Sequence, residues 1–354
     1  MESWFVNEGE LDDEQYNIKS MSLKNSYIVK GGAGSGKTVL ALWRMIEILA
    51  QEEDCILIVY TRALKEFIFA ALEKNPVFPI SARGRVMTER EWILRGRPKA
   101  SHIIIDEVQD FSSGDIDAFR DNATNSIALF GDSAQKLYTT KHSYDSDGQD
   151  SITLSIEEIA KKLRLPVRSL NRNHRLPKKI ARFAETMNPE GQKLEHQCRK
   201  EGTRVPMVVN CSSSRSEIDW IISLINSRGL TDVGILLPNN DSVMSVYAEF
   251  IDREIPCELK YKKQDTNRFT LDFSSDNPKI MTYHSAKGLQ FQYVFLPFCT
   301  RLNSDIRHER PFYVACTRAS EELFVTYAEE MHSYISKIPA DFYDNLDIRK
   351  TAIR

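Results

Sequence analysis

Residues 29–40 read VKGGAGSGKTVL, and this stretch narrows the fold more than any other. It fits the spacing G-x-x-x-x-G-K-[ST], with Gly31 first and Gly36, Lys37 and Thr38 last. The apolar run SYIVK precedes it and an amphipathic stretch follows, so the glycines sit at a strand-to-helix turn. At such a turn the backbone N–H groups of Gly31, Gly34, Ser35 and Gly36 converge on phosphate oxygens, and the helix N-terminus adds partial positive charge. Lys37 is the expected cation for the outer phosphates, and Thr38 the expected hydroxyl ligand of Mg²⁺. A glycine-rich turn with no ligand is the plain alternative, and the strand–loop–helix context speaks against it.

The rest of the chain repeats that alternation. Strand runs are expected at 26–30, 55–60, 102–106 and 126–132, and again at 206–211, 233–238, 279–284, 293–298 and 323–327. Helical patterns such as GKTVLALWRMIEILAQ, ALKEFIFAALEK and SEIDWIISLINSR lie between them. The expectation is α/β: two tandem domains with mainly parallel sheets. The helical pattern breaks at Pro166, which puts the seam between 1–168 and 169–354. A total of 354 residues with 42% hydrophobic content suffices for two cores. The polar stretch 139–151 is expected to be a mobile surface loop. A second polar stretch covers 260–277, and the tail 329–350 is either a docking helix or the cap of the second sheet.

HIIIDEVQD supplies the expected second half of the phosphate site. An apolar strand ending in Asp106 places a carboxylate for Mg²⁺, and Glu107 beside it can act on an attacking water. A pair of acids capping a helix is the alternative. FGDSAQKLY ends another strand, and Gln135 there can sense the γ-phosphate.

Other chemistries are disfavoured. The seven histidines show no metal spacing. The six cysteines form no C-x-x-C pair and read as reduced core residues. No apolar run approaches the ~20 residues needed to span a bilayer, and the N-terminus lacks a signal-peptide pattern. A cytoplasmic protein with no membrane partner is expected. The net charge of −3 confines any nucleic-acid contact to a local groove.

Six ordered pieces, KGGAGSGKT, IIIDEVQD, FGDSAQKLY, LNRNHRLPKKIA, TYHSAKGLQF and YVACTRA, resemble superfamily 1 helicases of the UvrD/Rep type. The resemblance runs from about Leu11 to Tyr327. It implies two RecA-like domains with ATP and Mg²⁺ between them, and Gln15 as the reader of adenine. It implies Arg175 and Arg318 as fingers from the second domain, His174 stacked on the base, and Gly288 and Gln290 near the nucleotide. It implies a single-stranded DNA track at Tyr60, Thr61 and Arg62, with Thr88, Tyr138 and His284 beside it. The implied activity is ATP-driven movement with 3′-to-5′ polarity on single-stranded DNA, the choice between DNA and RNA being left open by the residues.

The chain also departs from that pattern. Only 44 residues separate Thr61 from Asp106, and 108 separate Arg175 from His284, so the family's large insertions are missing. Thr140 stands where a stacking Trp is frequent, Gln290 where a ribose-binding Glu is usual, His174 where a larger aromatic is usual, and Val39 where a basic residue is frequent. A second reading follows from these losses: an ATP-gated sensor or partner subunit of another protein, such as a nuclease. A P-loop kinase or transporter ATPase leaves HSAKGL and the second α/β unit unexplained.

Overall fold

Parallel strands must be buried on both faces, and the sequence meets that demand with strands such as CILIV, in which every residue is buried. A computed structural model of the chain describes residues 4–132, 153–187, 193–263, 266–301 and 309–349. The chain divides after Asn173.

The first unit begins with a short helix α1 (Asp13–Lys19). Its sheet is built from β1 (Tyr27–Gly31), β2 (Cys55–Val59), β3 (Val86–Thr88), β4 (Ala100–Ile105), β5 (Ala123–Gly131) and β6 (Val167–Leu170). The order is β3-β2-β4-β5-β1-β6, parallel throughout. Helices α2 (Lys37–Ala50), α3 (Arg62–Lys74), α4 (Glu89–Leu94), α5 (Ser113–Asn122) and α6 (Ile156–Leu163) make the crossovers. Alternate strand residues Ile56, Ile58, Ile103, Ile105, Ile127 and Leu129 form one core with Trp92, Phe111 and Phe119. Strand β6, which straddles the seam expected at 168/169, pairs with β1 and so stays with the first sheet.

The second unit opens with α7 (Lys178–Glu185). Its strands are β7 (Met207–Cys211), β8 (Val233–Leu237), β9 (Glu258–Lys263), β10 (Thr266–Phe269), β11 (Lys279–Thr282), β12 (Phe291–Leu296), β13 (Ala319–Ala328) and β14 (Asp344–Asp347). The order is β10-β9-β11-β8-β12-β13-β7-β14. All of its pairings are parallel except β9 with β10. Helices α8 (Ser214–Arg228), α9 (Asn240–Asp252), α10 (Glu309–Cys316) and the single turn α11 (Ser333–Ser336) complete it. The α/β expectation therefore holds: both sheets are mainly parallel and flanked by helices.

Four features differ from the sequence reading, the first being β6, for which no strand run was expected. The polar stretch from 260 carries most of the antiparallel β9–β10 pair, in which only Leu259 and Tyr261 alternate as buried apolar residues. The tail gives the sheet an edge strand, β14, with all four residues exposed. Strand β3 has only three residues, too few for a period to show. The loop expected at 139–151, with Gln135, Tyr138 and Thr140, lies outside the described residues.

One buried carboxylate stands out in the second core. Glu217 on α8 is fully buried, and its Oε2 accepts hydrogen bonds from Phe298 N (2.8 Å) and Thr326 Oγ1 (2.5 Å). Its Oε1 has no hydrogen-bond partner among the described residues. Burial pushes its pKa up to about 7, against the two hydrogen bonds that pull it down. The folded state thus keeps a proton that the unfolded chain loses near the ordinary carboxylate value. That contribution is fully present below the ordinary value and is lost as pH rises through about 7. Thermal melts from pH 5 to pH 8 should show this unit losing on the order of 3 kcal/mol. Glu217→Gln should flatten that slope, and an unchanged slope in the variant would assign it to other groups.

Candidate functional site: a phosphate loop and its buried acids

The glycine loop joins β1 to α2, and its geometry explains its glycines. Gly34 and Gly36 have φ of 76° and 89°, a region that favours glycine. A Cβ at Gly36 would collide with the Gln15 amide, and one at Gly31 with the Ser35 hydroxyl. The loop carbonyls are taken from behind by side chains. Lys37 Nζ donates to Gly31 O (2.7 Å) and Gly32 O (2.9 Å), Asn173 Nδ2 to Ala33 O (2.5 Å), and Gln15 Nε2 to Ser35 O (3.0 Å). These donors satisfy the loop carbonyls and restrain the loop.

Gln15 is itself fixed, because its Oε1 accepts from Asp12 N (3.1 Å) in the capping box of α1. It lies 4% exposed against the loop. Asn173 was not singled out in the sequence. Its only local signal is the N-R-N-H-R string, which says nothing about a contact with residue 33.

The acids lie where β4 ends. Thr38 Oγ1 donates to Asp106 Oδ2 at 2.6 Å, and Glu107 N donates to Asp106 Oδ1 at 3.0 Å. Asp106 is fully buried and Glu107 nearly so. Glu107 has a left-handed backbone (φ 58°, ψ 43°), rare for a side-chain-bearing residue and concentrated at functional turns. Burial first, and then the neighbouring Glu107 charge, push Asp106 up to about 7, while Thr38 and Lys37 act in the opposite direction.

Gln109 is a second residue that sequence reasoning passed over. Its Nε2 donates to Glu107 Oε2 (2.5 Å), and its Oε1 accepts from Asp132 N (3.0 Å). A Cβ on Gly131 would lie 2.6 Å from that Oε1, so Gly131 makes room for the link. The end of β5 is thereby tied to the acid at the end of β4.

Two features of the pocket fit a phosphate and a divalent cation. The Ser35 hydroxyl is buried without a hydrogen-bond partner in the loop itself. Asp106 and Glu107 form a crowded carboxylate pair, and a hard cation with oxygen ligands relieves such a pair.

Residues expected on the nucleic-acid track fall into two groups. Val59 and Thr88 are register partners, so Tyr60, Thr61 and Arg62 lie beside Thr88 at the C-terminal edge of β2 and β3. Tyr60 is half-buried and packs edge-to-face on Phe111 at 5.4 Å. Thr61 and Thr88 cap α3 and α4 by accepting from Leu64 N (3.0 Å) and Glu91 N (3.3 Å). Arg62 is exposed, with Glu66 at 3.8 Å. His284 lies in the second unit, half-buried.

Within the second unit, Arg175, Arg318, Gly288 and Gln290 come together. Arg175 Nη2 donates to Thr317 O (3.0 Å), and Arg318 Nη2 to Thr317 Oγ1 (2.9 Å). Arg318 also donates to Val314 O (2.9 Å) and to Leu289 O (3.2 Å), between Gly288 and Gln290. Gly288 takes φ 78°. Arg318 is 1% exposed, whereas His174 is exposed.

Comparison with known proteins gives the family. The family described as "Viral superfamily 1 RNA helicase core domain" matches residues 27–222, and the "UvrD-like helicase C-terminal domain" matches 259–330. A protein of Acanthamoeba polyphaga mimivirus, assigned by name to the ATP-dependent DNA helicases, is 23% identical over 277 residues, covering 68% of this chain and 37% of that protein. The ATP-dependent DNA helicase Rep of Buchnera aphidicola is 31% identical over 108 residues, covering 22% of this chain and 16% of Rep. The RecBCD enzyme subunit RecB of Chlamydia muridarum is 43% identical over 76 residues, 18% of this chain and 7% of RecB. The chain thus spans little more than a third of the first of these relatives and far less of the others. The match over 27–222 takes in more than half of the sequence, and with the six ordered motifs and the phosphate loop in place, the chain belongs to the superfamily 1 helicases of the UvrD/Rep type.

Proposed function

We propose that the chain hydrolyses ATP with Mg²⁺ and couples the hydrolysis to movement along single-stranded DNA, 3′ to 5′. The observation that carries the reading is the Thr38–Asp106 hydrogen bond, with Glu107 buried beside it under a loop whose carbonyls are already held. Thr38 and Asp106 would hold the cation, and Mg²⁺, when bound, offsets charge on the phosphate oxygens. The N–H groups of the loop and Lys37 take up the outer phosphates. Glu107 accepts the proton of the attacking water, and Gln109 keeps its carboxylate in place. Gln15 would read the adenine edge with the amide hydrogen and lone pair it does not spend on Ser35 and Asp12. Arg175 and Arg318 would stabilise charge in the transition state, with His174 against the base and Gly288 and Gln290 nearby. Tyr60, Thr61, Arg62 and Thr88 supply one stacking face and phosphate contacts for the strand, joined by His284 and Tyr138. DNA is favoured over RNA by the names of the relatives matched, although the longest family match is to an RNA helicase core.

A second reading has its own support. One relative is by name a subunit of a larger enzyme, and the chain lacks the long insertions between Thr61 and Asp106 and between Arg175 and His284. On that reading ATP closure signals to a protein partner such as a nuclease, without strand separation. Displacement of a duplex by the isolated chain would exclude it.

Turnover measured alone and with poly-dT, poly-U or duplex tests the motor reading, which expects stimulation by poly-dT above the other two. Lys37→Ala and Glu107→Gln should each lower turnover by about 10²–10⁴-fold. Wild-type turnover in Lys37→Ala would remove the basis for the proposal.

The pair at 106 and 107 also makes a pH prediction. Asp106 without metal keeps its proton up to about 7, and a metal ion must displace it. Apparent Mg²⁺ affinity should therefore strengthen as pH rises from 6 to 8. Asp106→Asn should lose both the dependence and the turnover. A flat Mg²⁺ profile in the wild type would count against Asp106 as the ligand.

A further inference from the structure

We infer that the α4–β4 turn is a docking surface for the phosphate backbone of duplex DNA, separate from the single-strand track; the inference rests on the proposed nucleic-acid motor. Residues 90–99, REWILRGRPK, carry Arg90, Arg95, Arg97 and Lys99, all exposed. No described residue forms an ion pair with any of the four. Neighbouring cations behave differently: Arg83 pairs with Glu73, Arg85 with Asp54, and Lys65 with Glu91. Four cations within ten residues, none ion-paired with a described residue, concentrate positive charge in a chain of net charge −3.

The turn is built, not slack. Trp92 is 1% exposed, and its indole N–H donates to Pro98 O (3.1 Å). Arg97 N returns to Trp92 O (2.9 Å), Gly96 N to Ile93 O (2.9 Å), and Arg95 N to Glu91 O (3.1 Å). Gly96 and Arg97 both take positive φ (79° and 53°), reversing the chain so that three of the cations crowd one short connection. A fixed scaffold lowers the ordering cost of each charge–phosphate contact.

The chemistry points to duplex over single strand. Non-specific single-strand binding depends on aromatic faces, and the one aromatic residue here, Trp92, is buried. What the turn exposes is charge, with Ile93 and Leu94 (76% exposed) beside it. Charge alone favours the densest array of phosphates, and duplex DNA carries about one per 1.7 Å of axis. The place is also distinct. Strand β3 ends at Thr88 beside Tyr60–Arg62, and the parallel strand β4 begins at Ala100, so α4 carries the chain from that edge of the sheet back to the opposite one.

The test is fluorescence anisotropy with a blunt hairpin duplex and with poly-dT, from about 50 to 200 mM salt. The proteins compared are the wild type, Arg95→Glu/Arg97→Glu and the charge-retaining Arg95→Lys/Arg97→Lys. The glutamate pair should weaken duplex binding at least tenfold and flatten the log K against log salt slope by roughly 1.8, the loss of two phosphate contacts. The lysine pair should stay near wild type, and poly-dT binding should change little. Equal duplex affinity and slope in wild type and glutamate pair would overturn the inference. So would an equal loss on poly-dT, which would assign the cations to the single-strand track. A wild type that shows the duplex difference but no ATP turnover on poly-dT would sink the motor reading alone.

Discussion

Everything at the phosphate site depends on holding a loop's carbonyls away from the side that must face an anion. A backbone that turns its N–H groups inward leaves its oxygens pointing outward, and each buried oxygen needs a donor. Here the donors come from three places in the sequence: Lys37 inside the loop, Gln15 on the helix before it, and Asn173 at the end of the unit. The loop is thus pinned by residues up to 140 positions away. Its ligand-ready form is a property of the whole first unit and not of eight residues.

The acids show the complementary arrangement. Asp106 and Glu107 are adjacent, buried and mutually repulsive, which is unfavourable without a counter-charge. Thr38, Lys37 and the Glu107 backbone N–H act against the burial of Asp106. Gln109 adds a neutral grip on Glu107 and ties it to Asp132 at the end of the next strand. Change at the C-terminal end of β5 can therefore reach the acid at the end of β4 through one side chain.

Much of this was legible in the residues. The loop, its lysine and threonine, and the strand-end acids are local patterns with tight spacing, and local patterns survive in a single sequence. Strands such as β2 and β8 were visible because both faces are apolar. What stayed hidden was non-local or short. Asn173 and Gln109 act through contacts that no spacing encodes. Strand β3 is too short for a period, β10 and β14 lie at the edges of their sheet, and β9 shows only the brief alternation of Leu259 and Tyr261 among charged residues. Arg318 was read from its motif, but its hydrogen bonds to Val314, Leu289 and Thr317 within its own unit were not.

The placement of β14 bears on how the protein is made. It pairs with β7, a strand translated more than 130 residues earlier. Until the ribosome has released residues 344–347, β7 forms the border of its sheet, with half its backbone groups unsatisfied. Nascent chains halted before residue 344 would leave an adhesive rim, so clipping there threatens clumping more than it threatens the loop between β1 and α2.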